Sequence, residues 1–187
     1  MSSSDITIRR VRAEEWRRAK EIRLDALLDP VAAIAFLETH EQAAARPDEF
    51  WQDRTATAAA GSAMAQFVGE DADGRWLGTV NARVEHPGGP GALEGDVVEV
   101  EQTHVIAVYV RPEARGTGLA QDLLRAAREW SWSLTEPRIR RVRLFVHEDN
   151  VRAEALYVKA GFEHSGVVLA VPGAGTGREV ELAVWRD

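Results

Sequence analysis

Apolar and polar positions alternate along most of the chain with either the two-residue period of a strand or the 3.6-residue period of a helix. The first half opens with an alternating run at residues 5–11, which predicts a strand, and continues with apolar residues at helical spacing over 13–28. Residues 31–60 are less regular and predict a further helical segment after Pro47. Two extended runs within 63–86 flank an Asp-Gly pair, which predicts an antiparallel hairpin.

The second half of the chain contains strand-helix units and ends in two strands. Residues 97–110 are rich in β-branched side chains on both faces, as expected of a central strand, and the Gly- and Pro-rich segment 87–96 before them predicts a loop. The later predicted elements are a helix at 116–134, a strand at 141–147, a helix at 150–161, and strands at 162–171 and 178–186 joined by a glycine-rich turn at 173–177. The order β-α-α-β-β-β-α-β-α-β-β predicts an α/β fold of the α+β kind, a mixed sheet flanked by helices in a single domain over residues 1–187.

Composition narrows the classes of function. The formal net charge is −7, whereas nucleic-acid binding requires clustered Lys and Arg. One basic cluster departs from this balance, and we interpret it as a solvated strand end: Arg138, Arg140, Arg141 and Arg143. Cysteine is absent, the histidines lack metal-ligand spacing, and no run approaches the roughly 20 apolar residues of a membrane span. We therefore expect a cytoplasmic protein without a metal site that binds neither nucleic acid nor membranes.

A glycine-containing turn lies where the predicted central strand gives way to a helix. The segment Arg115-Gly116-Thr117-Gly118-Leu119-Ala120 does not match a Walker A motif, and Gln121 occupies the position where a dinucleotide-binding fingerprint needs its third glycine. The free N–H groups of a helix start can bind an anion, and glycines let that anion approach the backbone. The alternative is that the two glycines merely form a tight connection.

A second motif bears on this choice. The stretch "NVRAEALYVKAGF" at residues 150–162 lies on the next predicted helix. Together, the R/Q-x-x-G-x-G/A turn after "VYVRPEA" and the N-x-x-A-x-x-L-Y-x-K-x-G-F pattern resemble the GNAT superfamily of acyl-CoA-dependent N-acetyltransferases. The resemblance is close over residues 97–165 and extends only to the order of elements over 1–96.

The resemblance implies that acetyl-CoA is a co-substrate. The turn amides would bind the coenzyme A diphosphate, and the backbone of the preceding strand would pair with the pantetheine arm. The implied cofactor contacts are Val108, Val110, Arg115, Gly116, Thr117, Gly118, Leu119, Ala120, Asn150, Ala153 and Tyr157. Ala120 replaces the commoner glycine but stays within the pattern, since a small residue suffices there.

The resemblance also implies candidates for acid and base. Tyr157 occupies the tyrosine of the motif, and a positioned phenol can protonate the leaving thiolate. The strand before the turn offers His104 and Glu101 as general base, directly or through water. Strand parity puts His104 on the face of Val108 and Val110, and Glu101 on the opposite face, unless a bulge intervenes.

These observations predict an N-acetyltransferase that moves an acetyl group directly from acetyl-CoA to a primary amine of a small molecule, an amino-acid derivative or a peptide. The alternative is a non-catalytic acyl-CoA-binding or sensing module, which the presence of Tyr157 and Asn150 disfavours. A nucleotide-binding regulator would need an acidic partner that the sequence lacks. The acceptor is left open. The resemblance implies a pocket built by the first helices, with Trp51 and Phe36 as candidate lining residues, and an edge strand such as the C-terminal one offers a surface for a homodimer.

Overall fold

A computed structural model describes residues 6–171 and 177–186 of the protein. The strands are β1 Thr7–Arg10, β2 Met64–Glu70, β3 Trp76–Glu85, β4 Gln102–Val110, β5 Arg141–His147, β6 Glu163–Ala170 and β7 Arg178–Trp185. The α-helices are α1 Trp16–Leu27, α2 Ala32–Ala35, α3 His40–Ala44, α4 Asp48–Ala60, α5 Leu119–Ser133 and α6 Val151–Lys159. Short 3₁₀ turns precede α1 and α5 at Ala13–Glu15 and Pro112–Ala114. The predicted turn at 173–177 lies outside the described residues except for Gly177.

The seven described strands form one sheet in the order β1-β2-β3-β4-β5-β7-β6. Neighbouring strands run antiparallel except β4 and β5, which are parallel and connected through α5. This confirms the predicted mixed sheet with a strand-helix-strand unit in its second half. The C-terminal strand, however, is not an edge, because β7 lies between β5 and β6, and the expectation that it offers a free edge for a homodimer is wrong.

Helices cover both faces of the sheet. On β2, Ala65 packs in the cluster that contains Leu123 of α5, whereas Val68 packs in the cluster that contains Ile22 of α1 and Ala58 of α4. Odd and even positions of a strand point to opposite faces, so α5 lies on one side and α1 with α4 on the other. The central strands of the sheet are therefore covered on both faces, and they support the site.

The helix predicted after Pro47 is confirmed as α4, although residues 31–60 contain two further short helices, and the strand predicted over 97–110 differs from the structure. Residues 31–60 form three helices, and α3 begins at a capping box in which Thr39 and Gln42 exchange side-chain-to-backbone hydrogen bonds of 3.2 and 2.9 Å. The strand predicted over 97–110 begins only at Gln102. Before it, Val97 is 68% exposed and makes only an isolated bridge, because the loop is held by side chains instead of by the sheet.

Strands β4 and β5 pair for only three residues and then separate. Gln102–His104 of β4 lie opposite Arg141–Arg143 of β5, and no further pairs follow although both strands continue. On its other side β4 pairs with β3 through a bulge at Ala107, whose φ is +54°. A bulge turns the strand and releases its pairing locally. The backbone of β4 beyond the bulge therefore lines a cleft in the sheet.

The bulge also reverses the facing of the side chains that follow it. His104 lies on the face away from α5, while Val108 and Val110 pack against the α5 cluster together with Val105. The expectation that His104 shares a face with those two valines is wrong, because the extra residue shifts the two-residue period by one.

Candidate active site

A cavity of about 790 Å³ occupies the cleft between β4 and β5, within the range of small-molecule sites. The lining includes nearly all the predicted site residues: His104, Val108, Val110, Arg115, Gly116, Thr117, Gly118, Leu119, Ala120, Asn150, Ala153 and Tyr157. Glu101 is the exception. Its carboxylate bonds His86 at 2.8 Å outside the cavity, with a third of the side chain exposed.

The turn between β4 and α5 presents bare backbone to this cavity. Gly116 and Gly118 have φ of +80° and +93°, and a Cβ built on either would meet nothing within 4 Å. Glycine is therefore required by conformation and not by crowding within the protein. The amides of Gly116, Thr117 and Gly118 donate to no acceptor among the described residues. Together with the first turn of α5, these unpartnered N–H groups suit a diphosphate.

Side chains of the turn hold its shape. Thr117 Oγ1 donates to the carbonyl of Ala114 at 2.8 Å, and Arg115 Nε donates to the carbonyl of Val110 at 3.0 Å. The Arg115 guanidinium also forms an ion pair with Asp29, which lies two residues after the end of α1. Burial would raise the pKa of Asp29, but the hydrogen bonds from Arg115 and the Val31 amide, together with the nearby positive charges, outweigh burial and lower it. Arg115 is thus committed to the protein, which leaves the backbone as the anion donor.

Tyr157 and Asn150 lie on α6 at the far side of the cleft. The phenol of Tyr157 is buried, and its hydroxyl has no hydrogen-bond partner among the described residues. Burial, and then the nearby Glu179 carboxyl, raise the pKa of Tyr157 well above its ordinary value, so the hydroxyl is protonated at neutral pH. Asn150 caps α6 by accepting from the amide of Ala153 at 3.3 Å. Helix capping by the side-chain oxygen is sufficient to explain an asparagine at this position. The NH₂ group of Asn150 has no partner in the described chain.

His104 is held by a carboxylate on the neighbouring strand. Its Nδ1 lies 3.1 Å from Oε1 of Glu85, and its ring meets Phe145 edge-on at 5.6 Å. A carboxylate bound at Nδ1 fixes the proton on that nitrogen and leaves the Nε2 lone pair free. Burial lowers the pKa of His104 despite the opposing effect of Glu85, so the ring is neutral at pH 7. A neutral, oriented imidazole in a cavity can accept a proton.

Glu85 belongs to a buried ionic cluster around Arg143. The guanidinium of Arg143 is inaccessible to solvent and donates to Glu85, Asp96 and Glu181 over distances of 2.6 to 2.9 Å. This corrects the interpretation of the basic cluster as a solvated strand end: Arg138 and Arg140 are exposed, but Arg143 faces the interior. Asp96 ends the loop at 87–96, so this cluster attaches that loop to β5 beside His104.

Arg54 of α4 and Glu179 of β7 also line the cavity and have no local sequence signal, and Phe36 of the α2–α3 connection lines it as well. Phe36 was a candidate, whereas Trp51, the other one, is buried among helices and lines only a small adjacent hollow. Burial raises the pKa of Glu179 to about 7. No sequence pattern links Arg54 or Glu179 to the glycine turn, since the fold alone brings α4 and β7 to the cleft.

The sequence matches the model of the acetyltransferase (GNAT) family over residues 31–162, which is most of the chain. The protein belongs to the GNAT family of acetyltransferases. The match starts well before the motifs at 111–162 and therefore includes helices α2 to α4, which lie between β1 and β2 in the chain. No curated protein is significantly similar to the chain in sequence.

Solved structures share the whole fold. A GNAT-family acetyltransferase from Streptococcus pneumoniae superposes with a TM-score of 0.72 at 16% identity, over 97% of this chain and 99% of that one. Arabidopsis thaliana NAA60, solved with a bisubstrate analogue, gives 0.67 at 17% identity over 96% and 97%. Spermidine N-acetyltransferase from Vibrio cholerae, solved with CoA and spermine, gives 0.67 at 18% identity over 97% and 96%. At such identities the likeness establishes the fold.

Two further observations concern the described part of the chain. Residues 6–171 and 177–186 contain no group of three or more His, Cys, Asp or Glu side chains arranged to hold a metal ion. None of the helices in those ranges has the length and apolar character needed to cross a bilayer.

Proposed function

We propose that this GNAT acetyltransferase transfers an acetyl group from acetyl-CoA to a primary amine. The observation that carries the proposal is the row of three unpartnered amides at Gly116, Thr117 and Gly118, open to a cavity that continues to Tyr157. Each charge-assisted hydrogen bond contributes about 1.5–3 kcal/mol, so several converging amides hold a diphosphate without a lysine.

Binding places the thioester in the cleft. The backbone of β4 at Val108 and Val110 has no partner strand on the β5 side, so it can pair with the amides of the pantetheine arm. Asn150, with its NH₂ group free, and Ala153, which is small, flank that arm from α6. Acetyl-CoA supplies the acetyl group as a thioester, whose carbonyl carbon accepts the amine and whose sulfur leaves.

Two side chains move the protons. The ammonium form of the acceptor gives one proton to Nε2 of His104, directly or through water, and the neutral nitrogen bonds to the carbonyl carbon as the C–S bond breaks. Tyr157 protonates the departing sulfur, and the proton that the nitrogen loses on becoming an amide restores the phenol. The balance is one acetamide, one free thiol and one proton released from His104 to solvent. Glu101, bonded to His86 outside the cavity, has no part in this scheme.

The alternative, a module that binds acyl-CoA without turnover, fits less well. Such a module needs the glycine turn but has no use for a buried tyrosine whose hydroxyl is unpaired or for a neutral histidine oriented by Glu85. Both groups carry a cost of burial that binding alone does not explain.

The test is thiol release from acetyl-CoA over a panel of primary amines, with wild type and Tyr157→Phe. We expect the variant to bind CoA within about threefold of wild type while kcat falls about 10²- to 10⁴-fold, the usual contribution of a general acid. The hydroxyl has no partner in the described structure, so its removal leaves no unsatisfied group. Full turnover by Tyr157→Phe would remove its role, and no release with any amine would reject the proposed activity.

A further inference from the structure

One part of the cavity carries an uncompensated positive charge. We call it the arginine end and define it by Arg23, Phe36, Glu38 and Arg54, which come from α1, the α2–α3 connection and α4. Arg23 and Arg54 also line the small hollow next to Ala107, so the arginine end adjoins the bulge in β4. It is thus beside the point where β4 leaves its regular pairing and the cleft opens.

The guanidinium of Arg54 has no hydrogen bond or ion pair with any described residue. Glu38, the one carboxylate of the arginine end, already accepts from Arg23 at 3.1 Å and from Arg46 at 2.8 Å. Arg23, Arg46 and Arg54 therefore lie near a single carboxylate. Glu38 pairs with the first two, so Arg54 has no ion pair. Burial, followed by the charge of Arg23, lowers the pKa of Arg54, which shows that its surroundings disfavour the charge.

A fully buried guanidinium elsewhere in the protein is treated in the opposite way. Arg143 is surrounded by three carboxylates, which satisfy all of its nitrogens. A largely buried arginine without any counter-charge is costly, and it is retained where a ligand supplies the missing anion. The contrast between Arg143 and Arg54 singles out the latter as a group that awaits a partner.

We propose that the acceptor amine carries a free carboxylate that pairs with Arg54, which makes amino acids or close analogues the substrate class. This inference rests on the proposed acetyltransferase function and narrows its acceptor. A guanidinium recognises a carboxylate through two parallel hydrogen bonds. The cavity also holds the carboxyl of Glu179, whose side chain has no hydrogen bond or ion pair with a described residue, so the amine of the same ligand meets a complementary acid there.

A polyamine fits this cavity less well. Spermidine N-acetyltransferase of Vibrio cholerae shares the fold, but a polycation in the present chain would leave Arg54 unpaired and would meet Arg23 as a like charge. An amino-acid amide would keep the amine while losing the anion. These two ligand types are therefore the informative comparisons.

The experiment measures kcat/KM by thiol release from acetyl-CoA for the twenty standard amino acids, their carboxamides and spermidine. For the best acceptor we expect wild type to prefer the free acid over its amide by about 10- to 100-fold, the effect of a charge-assisted hydrogen bond. Arg54→Gln should reduce that preference to within about threefold, mainly through KM, and Arg54→Lys should retain part of it. Arg138→Gln, which removes an exposed arginine outside the cavity, should leave the preference unchanged.

The inference is overturned if wild type acetylates the amides or spermidine as efficiently as the free acids, or if Arg54→Gln keeps the wild-type preference. Thiol release in either case still upholds the acetyltransferase function. Release from none of these amines, by a protein that binds CoA, counts instead against that function. Calorimetric titration of CoA-saturated protein with the acids and amides then tests the inference. The inference requires that the acids bind more tightly than the amides and that Arg54→Gln abolishes this difference.

Discussion

Replacing Arg143 with methionine removes the cation that three buried carboxylates share. Two of them keep other partners, because Glu181 also accepts from Arg141 and Glu85 also accepts from Gln102 and His104. Asp96 keeps only the amide of Ala92, and its side chain is 2% exposed. The loss of stability in Arg143→Met therefore comes mainly from Asp96, whose buried carboxylate is left without a cation.

Breaking a buried ion pair in this way costs about 3–5 kcal/mol, a large share of a total stability of about 5–15 kcal/mol. The cost depends on pH with a definite sign. In wild type, burial would raise the pKa of Asp96, but hydrogen bonds from Arg143 hold it below its ordinary value, so its stabilisation is present above about pH 4 and is lost as pH falls further. Without Arg143, the hydrogen bond from the Ala92 amide alone opposes burial and the charge of Glu85, and the penalty for the ionised carboxylate grows as pH rises above about 4.

The assay is urea unfolding followed by tryptophan fluorescence, for which the six tryptophans provide a signal. Arg143→Met should lose about 3–5 kcal/mol at pH 7, and its deficit should narrow at pH 4.5. Arg138→Met, an exposed arginine on the same approach to β5, should change stability by less than about 0.5 kcal/mol. A loss below about 1 kcal/mol at pH 7, or a deficit that does not change with pH, would refute the role given to the cluster.

Two further predictions concern the cavity. Burial raises the pKa of Glu179 to about 7, so wild-type stability falls as pH rises from the ordinary glutamate value of about 4.3 to 7. Glu179→Gln should therefore unfold at higher urea than wild type at pH 8 and at the same urea near pH 4, and equal midpoints at pH 8 would contradict this. Gly118→Ala and Gly74→Ala both place a side chain at positive φ and should each cost about 1–2 kcal/mol of stability, but only Gly118→Ala should also weaken CoA binding by calorimetry. Equal CoA affinity in the two variants would argue against the glycine turn as the anion site.

Local sequence signals were sufficient where local physics decides the structure. The order of the strands, the hairpin at Asp71–Gly74 and the strand-turn-helix junction at Gly116–Gly118 follow from period, turn chemistry and capping, and the structure confirms each of them. The residues of the two motifs were also expected to meet, and they do line one cavity. Each of these features depends on residues close together in the chain.

The features that the sequence concealed depend on distant partners. Arg143 looks like one more surface arginine until the fold brings Glu85, Asp96 and Glu181 around it. No sequence pattern marks the bulge at Ala107 within a run of β-branched residues. The bulge nevertheless decides which later side chains of β4 lie on the same face as His104. Arg54 is likewise an unremarkable helical arginine until α4 packs beside the cleft.

The central claim is that the bare amides between β4 and α5 bind the diphosphate of acetyl-CoA and so present the thioester between β4 and β5. A crystal structure of the protein with CoA tests it most directly. We expect the diphosphate oxygens within about 3.2 Å of the nitrogens of residues 116–120, the hydrogen-bonding range, and the thiol near Tyr157. Density for CoA at any other place, with the turn amides still unpartnered, would contradict the account.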